Sequence, residues 1–265
     1  MIVGAQKCGT TALARFLAQH PAIAMAAPKE AHLFDAPDYS PAWTPAEIDA
    51  RYAPFFAHAG GQPLRGEATP IYLFLPGIAR ELRRYNPDLK LIVLVRDPVE
   101  RAISHYYMER NRERERRPLW LALLGEPFRL RRRDRARRDA ALRVHSYRRR
   151  GLYSLQLRNL YRSFDPRRVL VVRAEDLLRR HDAVLRRVFA FLGVDDGVRI
   201  APEIVYPTDR GGRRHRLASW LLRLSYLAER RRWQALRGGA ATTPAPDPPA
   251  TGTPGPSRPW SPSPW

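Results

Sequence analysis

Three short stretches of this 265-residue chain hold side chains able to move a charged group. Gly4-Ala5-Gln6-Lys7-Cys8-Gly9-Thr10-Thr11 joins an apolar strand-like start to a helical pattern, with Gly4 and Gly9 spaced as in a phosphate-cradling loop. Backbone N–H groups at a helix start, added to the helix dipole, make a phosphate-sized anion site. Pro28-Lys29-Glu30-Ala31-His32-Leu33-Phe34-Asp35 offers a carboxylate and an imidazole, the groups needed to take a proton from an attacking hydroxyl or amine. Leu91-Ile92-Val93-Leu94-Val95-Arg96-Asp97-Pro98 places an arginine where a buried strand ends, and Ser104 follows about two helical turns into the next helix. An arginine fork suits a phosphate with two or three open oxygens.

The chemistry is narrowed by what these stretches lack. A nucleoside triphosphatase carries lysine directly after the second loop glycine, and here that residue is Thr10, the lysine lying two residues before the glycine at Lys7. No later strand ends in an acid to organise Mg²⁺, since the strands end in Arg96 and Arg173. A γ-phosphoryl group carries about two charges and is normally handled with a metal, whereas a sulfuryl group carries one. A P-loop kinase is therefore the lesser alternative, and no metal is expected.

On these residues the chain resembles the sulfotransferases that use 3′-phosphoadenosine 5′-phosphosulfate (PAPS). Gln6–Leu13 resembles their 5′-phosphosulfate loop, with Lys7 matching the family lysine and Cys8, Gly9, Thr10 and Thr11 supplying donors. Arg96 and Ser104 match the 3′-phosphate ligands. Lys-Glu-x-His-x-Phe-Asp is similar to a segment of the carbohydrate-type branch, which implies Glu30 as base, His32 as its assistant, and Lys29 and Asp35 near substrate. Gly66–Phe74 resembles the next block, although Ala68 stands at the usual lysine position; Thr69 is expected as a helix cap and Tyr72 as a pocket wall. Tyr153 is expected at the cofactor, and Arg213, in the basic-glycine stretch 209–216, over the 3′-phosphate. The resemblance covers roughly residues 1–195. It implies sulfuryl transfer to a hydroxyl or amine of a small-molecule or glycan acceptor, releasing 3′,5′-adenosine bisphosphate. Ordinary structural roles compete at each position, above all a hydrogen-bonded structural histidine at His32 and an Arg96 paired to Asp97 or Glu100.

The elements that must carry these residues alternate. Strands are expected at 22–26, 89–95 and 168–172 besides the opening one, and helices at 10–19, 69–85, 98–110, 152–164, 183–193 and 217–236. This alternation predicts a three-layer, P-loop-like α/β fold with a central parallel sheet flanked by helices, spanning 1–237. From Gly238 on, 9 of 28 residues are proline, which predicts a disordered tail over 238–265.

The net charge is +21, and 44 of the 47 basic residues are arginine, only Lys7, Lys29 and Lys90 being lysine. Residues 109–150 hold 16 arginines against 6 acids. Anionic partners are favoured by that balance. Nucleic-acid binding is expected at most non-specifically, because nothing resembles a base-reading module. The single cysteine excludes an internal disulfide. No run of about 18 apolar residues exists, so no transmembrane segment is expected, and with no leader in the sequence a cytoplasmic location is the default reading.

Overall fold

The computed structural model describes residues 1–130, 140–203 and 215–240. Five parallel strands form its middle: β1 (Ile2–Gly4), β2 (Ile23–Met25), β3 (Leu64–Gly66), β4 (Leu91–Val95) and β5 (Val169–Arg173). β4 lies between β1 and β5, with Leu91 opposite Val169 and Val95 opposite Arg173. β2 pairs with β3, and an Ile2–Ala68 bridge sets the end of β3 against β1. The strands thus run β2-β3-β1-β4-β5. All five β4 residues are buried, which suits a strand paired on both edges and covered on both faces.

Helices flank this sheet. α1 (Thr10–Leu17) follows β1, α2 (Pro45–Tyr52) lies between β2 and β3, and α3 (Ile78–Tyr85) leads into β4. α4 (Pro98–Asn111), α5 (Leu119–Leu130), α6 (Ala140–His145) and α7 (Tyr153–Tyr161) separate β4 from β5, and α8 (Ala174–Arg179) and α9 (His181–Leu192) follow it. α10 (Arg216–Ser225) and α11 (Leu227–Ala240) end the described chain. Asp97 caps α4 by accepting from Glu100 N at 2.9 Å, and Pro98 opens it with its ring-fixed φ. Gly193, at φ 80°, stops α9.

Two expected helices differ. The helix predicted over 69–85 begins only at Ile78, after Gly77 at φ 78°. Its first half is a chain of turns pinned to the sheet: Leu73 N donates to Val3 O at 2.8 Å, a bond that continuous helix would have kept for itself. The helix predicted over 217–236 is two, broken at Tyr226, whose buried hydroxyl donates to Arg148 O at 2.8 Å. β3 and α2 lacked an expectation altogether; α2 carries a capping box between Thr44 and Glu47. The proline-rich tail beyond Ala240 lies outside the described residues.

The strands build the main core, with Val3, Leu13, Phe34, Val93 and Phe189 fully buried. A second, smaller core joins α4, α5 and α10 through Val99, Tyr106, Leu119, Ala122, Leu222 and Tyr226. The connections from β1 and β4 leave toward opposite sheet edges. Their C-terminal ends therefore flank the switch point where open parallel sheets bind ligands.

Candidate active site

The 4–9 loop leaves β1 at that switch point. Gly4 is required there, because a Cβ would fall 2.5 Å from Leu73 Cβ. Ala5 N donates to Leu94 O at 2.7 Å, tying the loop to the neighbouring strand. Lys7 and Gly9 both take left-handed φ values, 68° and 86°. At a lysine this costs about 1 kcal/mol and is held by the surrounding contacts, an arrangement that concentrates at ligand clamps. The turn carries the chain into α1, whose start has no side-chain cap, so its first amides are available to a ligand.

One cleft of about 970 Å³ collects the residues singled out in the sequence. Lys7, Gly9, Thr10 and Thr11 line it from the loop, Arg96 and Ser104 from the β4–α4 unit, and Glu30 and His32 from the segment after β2. Burial lowers the Lys7 pKa, and Arg112 and Arg96 lower it further against the opposing Glu109. Cations crowded in this way are relieved by a bound anion. Arg96 reaches Glu100 at 3.4 Å, a long contact that leaves its fork usable. Ser104 Oγ is buried and has no partner within the protein, which fits a ligand oxygen at that point.

Glu30 sits between two cations. Oε1 is paired with Lys29 Nζ, and Oε2 receives His32 Nε2 at 3.1 Å. Burial pushes its pKa up, but the hydrogen bonds from His32 and Lys29 outweigh this and hold it at about 2. His32 is held up at about 9, first by its hydrogen bond to Asp35 and next by Glu30, against its own desolvation. Both imidazole nitrogens therefore carry protons at neutral pH, donating to Asp35 at 3.0 Å and to Glu30. Asp35 is buried and also binds Arg143 Nη2 at 2.7 Å. The backbone beneath is fixed by Glu67, a buried carboxylate accepting from Ala31 N, Thr69 Oγ1 and Tyr52 OH at 3.2, 2.6 and 2.6 Å. His32 N donates to Thr69 Oγ1 at 3.4 Å and Ala68 N to Lys29 O at 2.9 Å.

Several predicted contacts act from behind the cleft. Tyr72 is buried and accepts Phe34 N at 3.2 Å, so it shapes the turn under His32 and does not form a pocket wall. Asp35 is buried, orients His32 and does not line the cleft. Tyr153 is buried with its hydroxyl 3.5 Å from Cys8 Sγ and does not line the cleft. Burial pushes the Cys8 thiol up to about 11, and the Cys8 amide donates to Ala5 O at 3.2 Å. Thr69 is no helix cap; it bridges Glu67 and His32. Arg213 lies outside the described residues. Arg112, Arg114, Arg143 and Glu109 line the cleft and were not foreseen. Nor was Arg150, buried, bonded to Gln6 and stacked 5.0 Å over Phe74. The arginines are four of the 16 in residues 109–150, where no spacing separates one from the next.

A glycine-bearing anion loop, a strand-end arginine with an unpartnered serine, and a hydrogen-bonded carboxylate, all lining one cleft, define a P-loop-like group-transfer site. A sulfotransferase domain model matches residues 1–205, and the chain belongs to that family. A solved sulfotransferase from Alicyclobacillus acidocaldarius is similar at 31% identity and TM-score 0.71, covering 89% of this chain and 93% of that one. Human heparan sulfate glucosamine 3-O-sulfotransferase 3B1 is 32% identical over 197 residues, covering 73% of this chain and 45% of the relative. The membrane-associated sulfotransferase kil1 of Dictyostelium discoideum is 37% identical over 107 residues, 40% of this chain and 22% of the relative. The chain spans less than half the length of these curated relatives.

Proposed function

We propose that the protein transfers the sulfuryl group of PAPS to a hydroxyl of a carbohydrate acceptor. The observation that carries this reading is that Lys7, Arg96, Ser104 and Glu30 open on one cleft. Arg96 and the unpartnered Ser104 Oγ would hold the 3′-phosphate. Lys7 and the amides of Gly9, Thr10 and Thr11 would hold the 5′-phosphosulfate, so that the two anchors set the sulfur in line for attack. The acceptor oxygen bonds to sulfur, the bridging S–O bond breaks, the acceptor proton passes to Glu30, and Lys7 balances the charge left on the departing phosphate. Adenosine 3′,5′-bisphosphate is released.

A carboxylate held at about 2 is a poor base, and the best general bases titrate near working pH. Lys29 is the partner that can be withdrawn: its ammonium ends a flexible stem, and an incoming sulfonate competes for it. Its departure raises Glu30 toward a useful basicity, while His32, fixed by Asp35 and Arg143, keeps the carboxylate aimed. Carbohydrate is favoured by the Lys-Glu-x-His-x-Phe-Asp segment and by the relatives named as heparan sulfate glucosamine 3-O-sulfotransferases, and the guanidinium groups of Arg112 and Arg114 at the cleft suit an anionic glycan.

The test is labelled-sulfate transfer from PAPS to a panel of glycan acceptors, with calorimetry of adenosine 3′,5′-bisphosphate. Lys7→Ala and Arg96→Ala should abolish nucleotide heat. Glu30→Gln should keep it and lose turnover by about 10²-fold or more. Full turnover by Glu30→Gln would remove the base, and no heat with folded wild-type protein would remove the donor.

A further inference from the structure

α5 and α10 carry more apolar surface outward than a solvated face explains. α5 exposes Trp120, Leu121, Leu124 and Phe128, and α10 exposes Leu217, Trp220 and Leu224; Phe128 is 74% and Trp220 57% exposed. The spacings, i, i+4, i+8 on α5 and i, i+3, i+7 on α10, put each set on one helical face. Their opposite faces already fill the second core with Leu119, Ala122, Leu123, Ala218 and Leu222. The two helices pack together, and a cavity of about 550 Å³ opens between them. Trp120 and Leu217 stand in its wall with Arg110, Arg116 and Arg216.

The charges on this face are sorted. Stretches 115–130 and 215–236 contain three carboxylates, Glu115, Glu126 and Glu229, and all are buried. Glu115 pairs with Arg129, Glu126 accepts the Arg148 and Arg149 amides at 2.7 and 2.9 Å, and Glu229 accepts Ser154 N and Oγ at 2.6 Å. Arg116, Arg117, Arg216 and Arg223 are exposed. These stretches therefore show solvent apolar and guanidinium groups and no carboxylate. A second copy would bring arginine against arginine across a two-fold axis, so the charge selects an anionic partner with an apolar interior. At 12 and 10 residues the helices are too short to span a bilayer, and no described helix is long and apolar enough to cross one.

We propose that the α5–α10 face seats the protein on a bilayer surface carrying anionic phospholipid. Lipid phosphate enters the cavity beside Arg110, Arg116 and Arg216, and Trp120, Phe128 and Trp220 enter the acyl boundary while the arginine stems reach back to the headgroups. Segment 107–116 divides this cavity from the cleft, Tyr107, Arg110 and Arg116 facing one and Met108, Arg112 and Arg114 the other. The seat does not depend on the reaction proposed for the cleft.

Co-sedimentation of the full chain with phosphatidylcholine vesicles, and with vesicles holding about one third phosphatidylglycerol, tests this. Partition onto the mixed vesicles should exceed that onto neutral ones by about tenfold or more. Arg116→Ala and Arg216→Ala should each lower it about fivefold, and Trp220→Glu and Phe128→Glu about tenfold or more, with melting curves unchanged from wild type. Equal partition onto both vesicle types, or wild-type partition by both glutamate variants, overturns the proposal. So does a lipid-free dimer in sedimentation velocity that Trp220→Glu dissociates. Inorganic phosphate raising the melting temperature while both vesicle types leave the protein in the supernatant would assign the cavity to a soluble anion and equally overturn it.

Discussion

Asp35→Asn isolates what the buried carboxylate does for the site. Asp35 accepts from His32 Nδ1 at 3.0 Å and pairs with Arg143 at 2.7 Å, and it is the foremost reason that His32 sits at about 9. The displacement from 6.5 to about 9 has a ceiling of about 3.4 kcal/mol, at about 1.36 kcal/mol per pH unit. The His32 side chain is 45% exposed, and solvent screening reduces that ceiling to about 1 kcal/mol. The sign is that of a raised base: the stabilisation is full below about 6.5 and disappears as pH rises through about 9. Denaturant titrations at steps between pH 6 and 10 should show this loss in the wild type and a flatter profile in Asp35→Asn. Imidazole NMR, assigned with His32→Gln, should find His32 near 9 in the wild type and back toward its ordinary range in the variant. A wild-type His32 titrating at or below 6.5, or one unmoved by Asp35→Asn, would refute the reasoning.

Two further changes probe the scaffold. Glu67→Ala strands three donors, from Ala31, Thr69 and Tyr52, beneath the segment that carries Glu30; it should cost about 2–4 kcal/mol by urea unfolding and weaken turnover more than nucleotide binding. Gly4→Ala forces a methyl into Leu73 Cβ, where neither backbone can yield; soluble yield and melting temperature should fall, by about 2–4 kcal/mol if the protein folds, and a neutral result would show that the 70–75 turn does not close on the loop as described.

Elements with a strong local cause were legible from residue types. β4 is five apolar residues between turn signals, α4 begins on Asp-Pro, and α9 ends on glycine, and each forms where expected. β3 was not legible, since Leu-Arg-Gly has no pattern of its own and becomes a strand only because β2 pairs with it. Pro70-Ile71-Tyr72-Leu73 reads as a helix start until Val3 O claims the Leu73 amide. Propensity is a weak prior where a strand competes for the same N–H.

The order of residues alone determined which groups could serve: a lysine-bearing glycine loop, a strand-end arginine with a serine two turns on, and a carboxylate two residues from a histidine. That the first two would meet was implied only by the family resemblance; the pairing of β1 with β4 brings their C-terminal ends to one rim. Only the tertiary structure decided that Tyr72, Asp35 and Tyr153 work from behind, that Arg143 completes the Asp35 contact from 108 residues away, and that Glu30 is held far below its ordinary pKa. Those outcomes depend on burial and on distances between segments remote in the chain. The energy of a charge is set by what surrounds it, and the surroundings exist only once the chain has folded.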